Sequence, residues 1–545
     1  MCATHTMCMA HIVCSLIWLC YLHMVCKAHT PASPDRPRRP VINGPAPTAR
    51  TGPIVATLAF TGTVAAIMQT LVTPLISELP QLLHTTASNA SWVITATLLS
   101  AAVFVPISGR LGDLLGKRTM LIASCVPLLL GSVLCAVADS VVPMIAGRAL
   151  QGMGMGLVPI GISLLRDVLP PERLGSAIAL VSASMGIGGG LGLPIAAGVA
   201  DYASWRVLFW GTAVLTVVII GMLWSVVPAP AATGHRPTGG RFDFVGAIGL
   251  SVGLVCLLLP VSKGGDWGWG STRTLGLFTA SAAILMLWAR WELRVGDPLV
   301  DLRVTARPRV LLTNAASVLV GFGMYAQALI VPQLLQLPEA TGYGLGQSML
   351  AMGLWMAPGG LMMMVVSPLG GKLSTARGPK FTLVAGALTI AVGYGLALPL
   401  MGSTWGVLIV TIVCNSGVGL AYGAMPALIM SAVPLSATAS ANSFNTLMRS
   451  LGTSVSAAVM GVVLSQMTIS LGGHALPSES GFRVGLVIGC VVALIAAAVA
   501  AVIPVPPAPR LRAVPAPAGA DAEAVGAEAA DARTTGAEAA KPTTA

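Results

Sequence analysis

Charge is what this sequence has least of. Only 9% of its 545 residues are Asp, Glu, Lys or Arg, where a water-soluble domain carries about 25%. So few charges cannot cover a solvated surface, which excludes a string of soluble domains and leaves lipid as the solvent. Carboxylates are scarcer than cations, 19 against 30, and beyond His29 the only histidines are His84, His235 and His474. Intramembrane catalysis needs a nucleophile beside a base, or clustered His and carboxylate ligands, and the apolar stretches hold neither. No Gly-x-x-x-x-Gly-Lys-[Ser/Thr] loop is present to hydrolyse ATP. We therefore expect no enzyme, no catalytic residue, no metal site and no cofactor. A disulfide framework is missing too. Half of the ten cysteines lie in the first 26 residues, and Cys125, Cys135, Cys256, Cys414 and Cys490 are scattered through apolar blocks as small hydrophobes.

What the chain has in quantity is apolar residue, 55% of the total, with 62 glycines spread throughout. Small residues let helices approach closely where no water separates them. Apolar runs long enough to cross a bilayer, about 20 residues, recur near 53–76, 90–108, 119–138, 141–163, 174–199, 207–227, 244–262, 274–290, 310–334, 347–369, 381–401, 404–431, 442–467 and 482–503. The reading is an all-α membrane protein with about fourteen spans.

The cations test this count. If the segment before span one is cytoplasmic and the connections alternate, the cytoplasmic segments from residue 31 to 512 hold twenty-one Lys and Arg. The outer segments hold only Arg206, Lys263, Arg273 and Arg483. A missed or invented span would exchange the sides and spoil this positive-inside bias. We expect both termini in the cytoplasm, in a bacterial inner membrane. The net charge of +11 thus sets topology and does not point to nucleic acid.

Residues 1–52 read as a disordered leader. Cys2, Cys8, Cys14, Cys20 and Cys26 fall every six residues, with His5, His11, His23 and His29 on the same beat. That spacing gathers the ligands on no helix or strand face. We read it as a translated upstream nucleotide repeat in preference to a metal-binding arm or a signal peptide. Residues 504–545, with almost no large hydrophobes, read as a disordered cytoplasmic tail.

Between spans two and three the sequence runs Gly109-Arg110-Leu111-Gly112-Asp113-Leu114-Leu115-Gly116-Lys117-Arg118. Between spans ten and eleven, Gly371-Lys372-Leu373-Ser374-Thr375-Ala376-Arg377-Gly378-Pro379-Lys380 repeats the Gly, the cation, the Leu, the second Gly and the final cation at the same offsets. One copy per half implies a duplicated transporter architecture. The acid of the first copy is Thr375 in the second.

The first copy resembles the signature Gly-x-Leu-x-Asp-x-x-Gly-[Arg/Lys]-[Arg/Lys] of the major facilitator superfamily. Gly147-Arg148-Ala149-Leu150-Gln151-Gly152-Met153-Gly154 is similar to that family's Arg-x-x-Gln-Gly-x-Gly segment. Gly188-Gly189-Gly190-Leu191-Gly192-Leu193-Pro194 resembles its antiporter signature, with Leu193 inserted. Trp205-Arg206-Val207-Leu208-Phe209-Trp210 resembles the element before its sixth span. Over residues 53–503 the chain is similar to the fourteen-helix drug:proton antiporter branch. The resemblance implies two six-helix bundles, 53–227 and 310–503, with two additional helices between them in 228–309. It implies a gating role for Gly109, Arg110, Asp113, Gly116, Lys117 and Arg118, and a helix bend at Gly188, Gly192 and Pro194. One departure matters: Met68 stands where that branch carries a membrane aspartate.

Arg148 and Arg449 lie within expected spans, each at an insertion cost of about 2.5–3.5 kcal/mol at a helix centre, so each calls for a function. With Gln151 they are candidates for coupling and transport. Arg449, beside Asn442 and Asn445, also reads as part of a polar helix end. Glu78, at the outer end of span one, is the best titratable candidate. The expected function is a secondary transporter, a monomer in the bilayer, that exports small amphipathic organic molecules against protons. An importer or uncoupled facilitator is the alternative.

Overall fold

In a hydrocarbon solvent every backbone N–H and C=O must be satisfied inside its own segment, and a long apolar run meets that demand as a helix. The structure, a computed structural model, describes residues 51–72, 75, 79–228, 241–471 and 474–504. Among these residues fourteen helices are long and apolar enough to span a membrane. They are α1 (Thr51–Thr70), α2 (Trp92–Leu115), α3 (Lys117–Ala136), α4 (Val141–Val168), α5 (Pro171–Tyr202), α6 (Arg206–Val226) and α7 (Phe244–Trp267). The second set is α8 (Thr272–Glu292), α9 (Pro308–Gln336), α10 (Met349–Arg377), α11 (Pro379–Leu400), α12 (Thr404–Met430), α13 (Thr438–Gln466) and α14 (Glu479–Val502). A hairpin, β1 (Thr468–Leu471) with β2 (His474–Pro477), joins α13 to α14. His474 therefore lies on a strand, where a loop was expected. The 1–50 repeat, the 505–545 tail and Glu78 lie outside the described residues.

All fourteen expected spans coincide with helices, but the boundaries move. Helix α2 continues through Leu115, so Gly109 to Asp113 are helical, not loop. The turn rests on Gly116 alone, at φ 96° and ψ 134°, a region closed to residues with a Cβ. The second copy turns the same way on Gly378, at φ 90° and ψ 152°. Helix α4 is interrupted by a 3-10 turn at Gly154–Gly156, the tighter winding that often marks a hinge inside a helix.

The two sets of six pack by one rule. In the first, α1 packs on α5 and α6, α4 on α2 and α3, and α3 on α6. With α7 and α8 set aside, the second repeats each pair: α9 on α13 and α14, α12 on α10 and α11, α11 on α14. Two seams join the sets, α5 against α10 and α13 against α2, and these too are equivalent under the repeat. Helix α8 packs on α7, while α7 also rests against α2 and α13.

Candidate functional site

Helix α13 starts with a defect. Its first N–H groups need acceptors, yet the N-cap residue, Ala437, has no side chain that can supply one. Asp113 of α2 fills the gap from the other half of the molecule. Its carboxylate accepts from the N–H of Ala439 at 3.1 Å and of Ser440 at 2.8 Å, and from Ser440 Oγ at 2.8 Å. A carboxylate at a helix N-terminus also meets the positive end of the macrodipole.

Lys117 completes the junction. An ammonium has three donors, and here they reach Asp167 Oδ2 at 2.7 Å, Thr438 Oγ1 at 2.8 Å and the Ser163 carbonyl at 3.1 Å. Both Lys117 and Asp167 are buried, 7% and 9% exposed. Ser163 Oγ donates to the Thr438 carbonyl and accepts from Asn442 Nδ2, each at 3.0 Å, while Arg166 reaches the Val433 carbonyl. Gly109 lets α2 approach so closely that a Cβ there would strike Ser443. The end of the bundle that carries the cation-rich connections is thus bonded shut between the halves.

The sequence reading sets Asp113 among Lys117, Arg118 and the ends of neighbouring helices, and in the structure the helix end is that of α13. The direct hydrogen bonds that Asp113 accepts come from α13, Lys117 pairs with Asp167, and Arg118 turns away to the carbonyl of Trp224 at the end of α6, at 2.7 Å. Arg110 reaches past the seam to Asp297, before α9, at 3.8 Å. Asp167, Thr438 and Ser440 were missed. Asp167 carried a signal, an acid directly after the last turn of span four. Two main-chain donors on a distant helix carry none.

The other seam combines close glycine approach with one side-chain bond, from Ser367 Oγ to the Ala179 carbonyl at 2.7 Å. A Cβ on Gly190 would lie 2.8 Å from the Gly360 Cα, and Gly186 faces Met363 in the same way. The opposite face of α5 presents Gly188 and Gly192 to Thr63 and Thr70 of α1. Helix α5 runs unbroken through Pro194, which lies against Gly353. Here the glycines of the expected bend motif work by allowing close backbone approach.

Deeper in the first half, Arg148 is 2% exposed. It donates to the Met68 carbonyl at 3.1 Å and to Gln151 Oε1 at 2.7 Å, and Gln151 Nε2 donates to Ser132 Oγ at 2.9 Å. This chain of bonds ties α4 to α1 and α3 without a carboxylate.

Between the halves a pocket is lined from α4, α5, α12 and α13. Arg449 is its only charged lining residue. Of the two sequence readings of Arg449, a coupling or transport site and part of a polar helix end, the structure gives its depth: α13 begins at Thr438 and the arginine lies about three turns inside. It is 9% exposed, with its guanidinium over the Tyr422 ring at 4.4 Å from the centroid. Among the described residues it forms no ion pair. No helix of the α7–α8 pair contributes to this lining.

Comparison with known proteins agrees with this architecture. The family model described as "Major Facilitator Superfamily" matches residues 58–457. An uncharacterised MFS-type transporter of Mycobacterium tuberculosis is 29% identical over 435 residues, 78% of this chain and 61% of the relative. A multidrug resistance protein B homologue of the same species is 30% identical over 320 residues, 57% of this chain and 56% of the relative. The chain thus spans about three fifths of the length of these relatives. The solved structure of the proton:xylose symporter XylE aligns with a TM-score of 0.58 at 13% identity, covering 83% of this chain and 96% of that one. With a family match across most of its length and fourteen helices long and apolar enough to span a membrane, packed as two equivalent sets, the chain belongs to the major facilitator superfamily.

Proposed function

We propose that this transporter exports small amphipathic organic molecules (drugs, antibiotics or self-made metabolites) by alternating access, with proton antiport as the drive. The observation that carries the reading is the polar junction of Asp113, Lys117 and Asp167 with the start of α13. It closes one end of the bundle with bonds that can break and re-form, directly below a pocket shared by both halves. The positive-inside bias supports placing that end and both termini in the cytoplasm, and our reading takes a bacterial inner membrane as the site and a monomer as the working unit. Residues 53–227 and 310–503 would move as bodies, with 228–309 riding outside. The multidrug name of a relative supports the substrate class.

The absence of any carboxylate from the pocket lining favours a second reading, uncoupled facilitation, unless Glu78 carries the proton. Proteoliposomes holding the purified full chain decide between them. Antiport predicts that an imposed pH gradient drives a lipophilic probe uphill and that an ionophore abolishes the movement. Equilibration indifferent to the gradient would establish facilitation, and no movement of any probe from a broad panel would overturn the export reading.

A further inference from the structure

The pocket between the halves has a chemistry of one sign. Arg449 brings a permanent positive charge into it, since a guanidinium does not lose its proton in a protein. The neighbouring groups on the lining, Asn442, Asn445, Ser182 and the Tyr422 ring, are all neutral. Asn445 Nδ2 is spent on Asn314 and Ser317 of α9, at 2.8 and 2.7 Å. Asn442 Nδ2 is spent on Ser163. Asn445 thus has no amide donor left for a ligand, and Asn442 has one of its two. A Tyr face attracts a cation but cannot neutralise it, and a buried charge is ordinarily paired. The other buried arginine, Arg148, has its carbonyl and amide acceptors. Among the described residues Arg449 has no hydrogen-bond acceptor or ion-pair partner, and its side chain lines the cavity.

We infer that the counter-ion of Arg449 is the transported molecule: an aromatic or otherwise apolar compound carrying a carboxylate or comparable singly ionised acid. The planar donor fork of the guanidinium matches a carboxylate with two parallel bonds. The cavity as it stands has room for about 10 Å³, roughly one water, so a ring system enters only as the halves part, against Met185, whose flexible and polarisable thioether adapts to it. A lipophilic cation would meet Arg449 as a like charge with no acid to offset it, so the pocket selects against it. This inference rests on the export reading for what happens after binding.

Three probes of one shape test it: 1-naphthoate, 1-naphthylmethanol and 1-naphthylmethylammonium, binding the purified full chain as followed by tryptophan quenching. Naphthoate is expected to bind at least tenfold more tightly than either of the others. Arg449→Gln should bring the three within threefold, while Arg449→Lys, which keeps the charge, should retain a preference of threefold or more. Equal or tighter binding of the ammonium probe, an unchanged preference in Arg449→Gln, or no binding of any probe at millimolar concentration would each overturn the inference. Loading proteoliposomes separates this from the export reading. Transport of the cation but not of naphthoate leaves the export reading standing and overturns the inference. A binding preference for naphthoate without movement of any probe supports the inference and overturns the export reading.

Discussion

Arg148 donates to the backbone carbonyl of Met68 at 3.1 Å, the residue that stands where the antiporter branch resembled by the sequence is expected to carry a membrane aspartate. The guanidinium therefore holds a main-chain oxygen at the position from which a carboxylate is missing. Its second partner, Gln151, extends the contact to Ser132 on α3. Both bonds leave Nη1, and a lysine ammonium, on a shorter side chain and without the guanidinium plane, does not set its donors on both acceptors in the same way. Arg148→Lys and Arg148→Ala are both expected to reduce transport at least tenfold with near-normal protein level. Efflux assays normalised to membrane abundance check this. Substantial transport by Arg148→Lys would show that charge alone suffices.

Asp113→Asn keeps the shape of the α13 cap but loses its charge. A helix-end charge in a partly buried site contributes up to ~2 kcal/mol, about a thirtyfold shift in the equilibrium between bonded and open junction. Transport should fall at least tenfold while insertion is unaffected. A cysteine placed at Ser443, covered by Gly109 in the closed junction, should react faster with a membrane-impermeant maleimide added from the cation-rich side. Unchanged labelling and flux would remove Asp113 from the gate.

Lys117 and Asp167 form a buried pair, and breaking one side of such a pair costs about 3–5 kcal/mol because the other charge stays buried. Lys117→Met should lower the thermal midpoint of the purified protein sharply, and Asp167→Asn similarly. The double variant should recover part of the loss, with a coupling of about 0.5–3 kcal/mol. Strict additivity in that cycle would mean the two residues do not act as a pair.

Neighbouring glycines on α5 should behave oppositely. At Gly190 a methyl group would press on the Gly360 backbone, and overpacking of this kind costs about 1–3 kcal/mol. At Gly189 an added Cβ meets no atom within 4 Å. Gly190→Ala is expected to lower stability and flux, and Gly189→Ala to leave both unchanged or to raise stability by up to about 1 kcal/mol through helix propensity. Matching effects at the two positions would contradict the close seam.

The helices were legible because their signal is local: a run of some twenty apolar residues and the side on which cations collect both read directly along the chain. The repeat of 109–118 at 371–380 was equally visible, and its two glycine turns share one conformation. The gate was legible only in half. Asp113 announces itself by its motif, but its acceptors' partners are main-chain N–H groups 326 and 327 residues away, and any residue type supplies those. Sequence proximity misled for Arg118, which lies beside Lys117 in the chain and bonds to α6 instead. Arg449 was found from its rarity in an apolar span, whereas its depth depended on where α13 begins. That boundary is set by Thr438 and the preceding turn, not by hydropathy.

The two seams between the halves are equivalent by descent and unlike in substance. At the α2–α13 seam stands Asp113. At the corresponding place on α10 stands Thr375, whose hydroxyl donates to its own helix, at the Gly371 carbonyl, and that seam closes through glycine backbones and the Ser367 hydroxyl. Close backbone contact is short-ranged and indifferent to salt, while carboxylate and ammonium bonds, screened little as long as they stay buried, can exchange partners with water once it enters. A motion that separates the halves meets a stiff spine along α5 and α10 and a releasable lip along α2 and α13. We expect the two equivalent edges to act as a hinge and a latch, so that the molecule opens as a clamshell does, about one side.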